Sequence, residues 1–248
     1  VLQESAALHV HVGDAAKRDE PLMTSRSGVH AVLRDHFARA KRLQEGLRTA
    51  PRDPAERQWL ASVRGDAALQ VLVRALEGKL PVVVHAQRQE DIAAVLRLQQ
   101  EFQLRMIVAE GAEAHLLADQ LAAQKVPVLL GPVRLRPDDF ATRHATISAA
   151  GILHKAGVQV AIASSDSHNN RHLRWEAGYA LEAGLPWQVA LDAVTRLPAQ
   201  LFGVQGPGQL RVGDLADLAV YDDDPLSLQG HIKLVLAGGE LELAPRQP

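Results

Sequence analysis

The chain has 248 residues, enough to bury a sizeable core as one large α/β domain or as a domain plus a smaller unit. A net charge of -2 with 23% charged residues gives no reason to invoke nucleic acid or an acidic membrane surface, and no apolar run approaches a transmembrane helix. Cysteine is absent, which excludes disulfides and thiolate metal sites and leaves the compartment open, so the 11 histidines become the informative count.

The chain opens at Val1 with no signal peptide and enters a strand almost at once, so it is expected to be soluble and to begin partway through a larger protein. Leu8, Val10 and Val12 alternate with His9 and His11, which places both histidines on one face of that strand. Gly13-Asp14 ends it, and a polar loop runs from Ala15 to Ser25. A helical stripe of Val29, Val32, Leu33, Phe37, Ala40 and Leu43 predicts a helix from about Gly28 to Leu47. After a Pro-punctuated break, a second helix is expected from Pro54 to Leu76, with Gly65 a point of interruption.

From there strands and helices alternate. Strands are expected at Pro81–His85, Met106–Ala109, Val126–Leu130 and Val158–Ala163. Helices are expected at Glu90–Phe102, Ala112–Gln124, Thr142–Ala156 and Leu173–Ala183. This alternation implies βαβ units and an α/β fold with five parallel strands, counting the first. Two short helices, Pro186–Thr195 and Pro198–Phe202, precede a stretch of short strands from Gly206 onward, including Leu210 and Val212, that reads as a small β unit of about three strands.

Polar groups recur at the carboxyl ends of the predicted strands: His9 and His11 on the first, His85 on the second, Glu110 on the third, Asp166 on the fifth. Ligands and chemistry sit at those ends in parallel α/β folds. Imidazole and carboxylate suit a divalent metal whose open position activates water, with Asp166 as ligand, general base or both. Each residue also has a plainer reading: His85 as a hydrogen-bonded strand end, Asp166 as a helix cap, Glu110 as a favourable helix start. No P-loop or GxGxxG follows any strand, which argues against a phosphate-binding domain.

The run from Gly151 to Asp166, then Leu173, Ala177, Ala180 and Gly184 to Val204, resembles the last barrel strand and following helices of the amidohydrolase superfamily. Gly208 to Leu226 resembles that superfamily's return to a small β-sandwich. Val84-His85-Ala-Gln-Arg88-Gln-Glu-Asp91-Ile resembles the fifth-strand signature of the imidazolonepropionase-like branch, as do Leu2 to Gly13 and Met23 to Arg26. The resemblance covers nearly the whole chain. It implies a metal-dependent-hydrolase TIM barrel, (β/α)8, incomplete here. Strands four to eight would fall in residues 1–204, with the C-terminal segment of the β-sandwich in 205–248.

The activity implied is hydrolysis of carbon–nitrogen bonds in a small-molecule amide, cyclic amide or dipeptide-like substrate, through a metal-activated water. His85 matches the fifth-strand histidine ligand. Asp166 matches the eighth-strand aspartate that binds metal and handles the proton of the attacking water. The first-strand HxH pair is missing, and His9 with His11 is not that pair: His9 stands where many branch members carry lysine. Glu110 stands near the sixth-strand histidine position, and Gln87 where a second histidine is common. The implied metal ligands are therefore His85, Asp166, His9 and Glu110, for one or two divalent ions such as zinc, with Arg88 and His168 on the substrate. The competing expectation is a barrel that has lost its metal and acts as a binding or scaffolding protein. A homo-oligomer is compatible with either. Five strands leave two open edges, so these residues expressed alone are expected to aggregate or to associate with a missing segment.

Overall fold

The computed structural model describes residues 5–134, 137, 139–165, 168, 170–204 and 208–243. Five strands, β1 (Leu8–His11), β2 (Val82–Ala86), β3 (Met106–Glu110), β4 (Val128–Leu130) and β5 (Val160–Ile162), follow chain order through one sheet, with β1 and β5 at its edges. This is the five-stranded α/β arrangement that the alternating pattern predicts. The chain divides at Ala109/Glu110 into two compact units.

In the first unit β1 pairs with β2 in parallel, Leu8 opposite Val82 and His11 opposite His85. Three helices separate these strands: α1 (Arg26–Arg48), α2 (Pro54–Val63) and α3 (Ala67–Leu76), while α4 (Gln89–Phe102) joins β2 to β3. The stripe read in α1 is buried at Val29, Phe37, Ala40 and Leu43, and Ser25 caps the helix by accepting the Gly28 N–H. The helix expected over 54–76 is interrupted at Gly65, the point the sequence marks, and the Asp66 carboxylate accepts the N–H groups of Ala68 and Leu69 to start the second helix. Ala40, Leu43, Leu69 and Val73 then pack as one cluster, flanked by Trp59, Leu60 and Val63. Val82, Val83 and Val84 are all buried, as a parallel strand covered on both faces requires.

A polar tie organises the open end of this unit. Asp91, in the first turn of α4, is 3% exposed. It accepts from Arg26 Nη1 at 2.8 Å and faces His30 Nε2 at 3.2 Å. Arg26 also donates from Nε and Nη2 to Asp14. Gly13 lies between, at φ +76, and a Cβ there would stand 2.8 Å from Asp91 Oδ2. Only glycine accepts both that conformation and that approach. The loop after β1 and the first turns of α1 and α4 are thus held by one set of charges.

In the second unit β4 pairs with β5 in parallel, Val128 opposite Val160 and Leu130 opposite Ile162. Gly131 follows β4 so closely under the neighbouring chain that a Cβ would lie 2.0 Å from the Ala163 carbonyl oxygen. The helix expected over 112–124 is a 3-10 turn at Ala114–Leu117 followed by the short α5 (Ala118–Ala123). Glu110 and Gly111 both adopt left-handed conformations, which delays the helix. The helix expected from Thr142 starts only at Ala149, as α6 (Ala149–Lys155). Asp139 and Thr142 bond each other instead: Asp139 Oδ1 accepts from Thr142 N at 2.9 Å and from Thr142 Oγ1 at 3.0 Å. Such local side-chain bonds compete with helix formation.

Helices α7 (Leu173–Glu182), α8 (Trp187–Val194) and α9 (Arg196–Phe202) lead to a three-stranded antiparallel sheet, β6 (Leu218–Tyr221), β7 (Ile232–Ala237) and β8 (Glu240–Leu243). Leu210 and Val212, read as strand residues, are exposed and lie outside it. The turn between β6 and β7 is fixed to α7. Arg174 donates to the carbonyls of Pro225, Ser227 and Gly230, and a Cβ on Gly178 would meet the Leu226 carbonyl oxygen at 2.3 Å. Trp187 Nε1 donates to the Asp224 carboxylate at 3.1 Å. Among the described residues no helix is long and apolar enough to cross a membrane.

Two outcomes follow from this packing. Asp91→Ala leaves Arg26 with only Asp14 and is expected to cost about 3 kcal/mol in urea unfolding, the scale for breaking a buried pair, with Asp91→Asn costing less. His115, in the 3-10 turn before α5, is pushed below the ordinary histidine pKa, chiefly by burial. The folded protein therefore resists protonating it. Its share of stability is present above about pH 6.5 and is lost as pH falls from there through the lower folded value. Melting curves should show His115→Gln losing less stability than the parent between about pH 7.5 and about pH 5.5; equal losses would contradict the assignment.

Candidate functional site

The alternation of β1 turns His9 and His11 out of the core, and the parallel register brings His85 beside them. His9 Nδ1 and His85 Nε2 face each other at 3.0 Å. The His11 ring stacks on that of His85, centroids 4.2 Å apart and planes 11° from parallel. Burial, then the neighbouring imidazoles of His85 and His11, pushes the His9 pKa below its ordinary value. A neutral imidazole offers a lone pair, which is the form a metal binds.

The nitrogen pair fits such a role. Two nitrogen ligands at about 2.0–2.1 Å in a tetrahedral site stand about 3.3 Å apart, close to the 3.0 Å found between His9 and His85. Alternatively one ring donates its N–H to the other. Among the described residues no group of three or more His, Asp or Glu side chains converges as a metal cage. Asp166, the residue on which the sequence reading centres, lies outside the described residues.

The remaining expected residues are placed as follows. Arg88 is the N-cap of α4, and its guanidinium pairs with Glu90 at 3.1 Å. Glu110 ends β3 at φ +71, and its carbonyl accepts from Gly131 N at 3.3 Å. A non-glycine residue in the left-handed region is strained, and such residues gather at functional sites; Ser165 shares the trait at φ +52. Glu110 also lines a small recess with Leu130, Pro132, Val133 and Thr146. His168 is exposed. The histidines of the first unit are brought together, and Glu110 and His168 belong to the second unit.

Several polar residues near strand ends carry no role in the sequence reading. Asp14 is held well below the usual carboxylate range by hydrogen bonds from Arg26 and Lys17. Glu113, 2% exposed, faces His144 Nδ1 at 2.9 Å. Glu176, also 2% exposed, accepts from Arg134. A signal for Glu176 was present: it is a carboxylate set directly against the apolar stripe of α7, beside Ala177 and Ala180. Nothing local signals the Arg26–Asp91 tie, whose partners are 65 residues apart.

Comparison with known proteins gives this geometry a context. The solved amidohydrolase of Thermotoga maritima MSB8 superposes with a TM-score of 0.84 over 98% of this chain and 63% of its own, at 24% identity. A prolidase solved with N-methylphosphonate-L-proline gives a TM-score of 0.58 at 18% identity over 97% of this chain and 68% of its own. Amidohydrolase tasK of Hapsidospora irregularis is 26% identical over 172 residues, 66% of this chain but 17% of the relative's length. The chain thus spans less than two thirds of the length of either of the two amidohydrolases. The imidazolonepropionase-like signature is consistent with these matches. The amidohydrolase family model matches residues 2–241. With nearly its whole length inside that match, the chain belongs to the amidohydrolase family.

Proposed function

We propose that the protein hydrolyses a carbon–nitrogen bond in an amide, cyclic amide or dipeptide-like small molecule with the help of a divalent metal, for which His9 and His85 are the ligands the geometry supports and Asp166 and Glu110 are ligands on the sequence resemblance alone. The observation that carries this is the pair of imidazole nitrogens facing each other at 3.0 Å on the ends of adjacent parallel strands. The full architecture would be a (β/α)8 barrel, of which β1 to β5 are the fourth to eighth strands, with β6–β8 part of a β-sandwich. The likeness to the Thermotoga amidohydrolase supports that extension.

A divalent ion bound there, zinc by its preference for imidazole nitrogen, would lower the pKa of a water and polarise the substrate carbonyl. The chain's own residues supply the rest. His9, favoured in its neutral form, presents a nitrogen beside that of His85, and the stacked His11 ring restrains His85. Asp166 takes the proton of the attacking water and delivers it to the departing nitrogen, so one carboxylate serves as base and then as acid. The Arg26–Asp91 tie keeps the loop after β1 in place and does not touch the reacting atoms. Arg88 and His168 contact the substrate. The dipeptide-like class draws support from two neighbours: the prolidase, and the β-aspartyl dipeptidase of Fervidobacterium islandicum AW-1, solved with a β-Asp-Leu dipeptide, which shares the fold with a TM-score of 0.53 at 18% identity over 74% of this chain and 53% of its own.

The test is metal content by mass spectrometry on the full chain, alongside amine release from dipeptide and cyclic-amide panels. About one or two ions per chain are expected, with His85→Ala and Asp166→Ala each losing metal and amine release together. A chain that holds less than one ion per several copies, unchanged by either substitution, would overturn the hydrolase reading. That result would leave a barrel that has lost its metal and binds without turnover.

A further inference from the structure

Within the second unit, Arg134 sits in the turn that follows β4, and Glu176 in the first turn of α7, which follows β5. These are carboxyl ends of parallel strands, where substrates are met. Glu176 is 2% exposed, yet both of its carboxylate oxygens serve one residue. Oε2 accepts the Arg134 backbone N–H at 3.1 Å, and Oε1 accepts Nε–H at 2.8 Å. Backbone and inner edge of the arginine are therefore fixed by the same buried charge.

The outer edge is left over. Nη1 and Nη2 make no bond among the described residues, and the Arg134 side chain is 46% exposed. Burying a carboxylate to orient a surface arginine is a poor route to stability, since an apolar contact would serve as well. It is an effective way to aim a guanidinium, because a long side chain held in one direction loses less freedom when it meets a ligand. The planar Nη1–Nη2 edge matches a carboxylate with two parallel N–H···O bonds. Arg174, two residues before Glu176, is committed to the carbonyls of Pro225, Ser227 and Gly230.

We infer that Arg134 is a specificity residue that receives a free carboxylate of the substrate, held in aim by Glu176. This rests on the proposed hydrolase reading and narrows it to substrates that carry a carboxylate beside the scissile C–N bond, such as N-acyl amino acids and dipeptides. The charge recognised is on a part of the substrate that does not react, so the effect appears in binding.

The experiment compares equilibrium binding of N-benzoylglycine and N-benzoylglycinamide to the full chain by calorimetry, with melting temperatures recorded for every variant. The parent should bind the acid about tenfold or more tightly than the amide. Arg134→Gln should abolish that preference, and Arg134→Lys, which keeps the charge but loses the fork, should retain only part of it. Glu176→Gln should weaken the preference while Arg134 remains in place. If the parent binds acid and amide equally or binds neither, or if Arg134→Gln changes melting temperature but not the preference, the inference is overturned and the pair is a structural staple. Metal content and amine release on the same samples separate the two readings: loss of both with the acid preference intact removes the hydrolase reading alone.

Discussion

The Asp91 carboxylate is the constraint on which the first unit turns. It is almost completely buried, so its charge has to be met, and Arg26 and His30 of α1 meet it. Gly13 accepts its closeness without a side chain. Because β1, α1 and α4 all meet here, the strand end that carries His9 and His11 is fixed by groups that do not themselves face a reactant. The apolar cluster of Ala40, Leu43, Leu69 and Val73 gives the unit its cohesion, while the charged tie gives its upper loops their position. Replacing a charge in that tie therefore affects geometry as well as stability.

The histidine group follows from two simple rules. Period-two alternation puts His9 and His11 on one face, and parallel pairing sets His85 opposite His11. Burial, and then the nearby imidazoles of His85 and His11, disfavours protonation of His9. His9 is thereby favoured in the neutral form that a nitrogen donor requires. Glu110 is different: it is held in a strained backbone conformation, where the resemblance leads one to expect a histidine. A carboxylate substituted there changes both the ligand chemistry and the charge of that end of the sheet.

Much of this was legible beforehand. The valine run of β2 and the alternation of β1 are local patterns set by burial, and the five strands appear in the order expected. What could not be read depends on partners distant in sequence or on small local competitors. The tie between Arg26 and Asp91 spans 65 residues, and no periodicity encodes it. The helix expected from Thr142 fails because Asp139 and Thr142 satisfy each other first. The break at Gly65, marked in the sequence, is there, and what the sequence left open is the Asp66 cap that starts the second helix. Of the expected site, His9 and His85 come together, Glu110 and His168 lie in the other unit, and Asp166 lies outside the described residues. Arg134 carries no signal of its own, since a lone arginine in a turn is common, and only the burial of its partner Glu176 sets it apart.

Helix α7 carries a consequence of its own. Along one length it grips the turn of the small sheet, through the three carbonyls bound by Arg174 and the backbone contact at Gly178. In its first turn it holds Arg134 through Glu176. Among the described residues the small sheet supplies no side chain to either candidate site, yet its turn is tied through α7 to a residue at a strand mouth. Sequence drift in that outlying turn is not neutral with respect to the mouth, and a lineage that reshapes the turn must either preserve the bearing surface of α7 or re-aim the arginine.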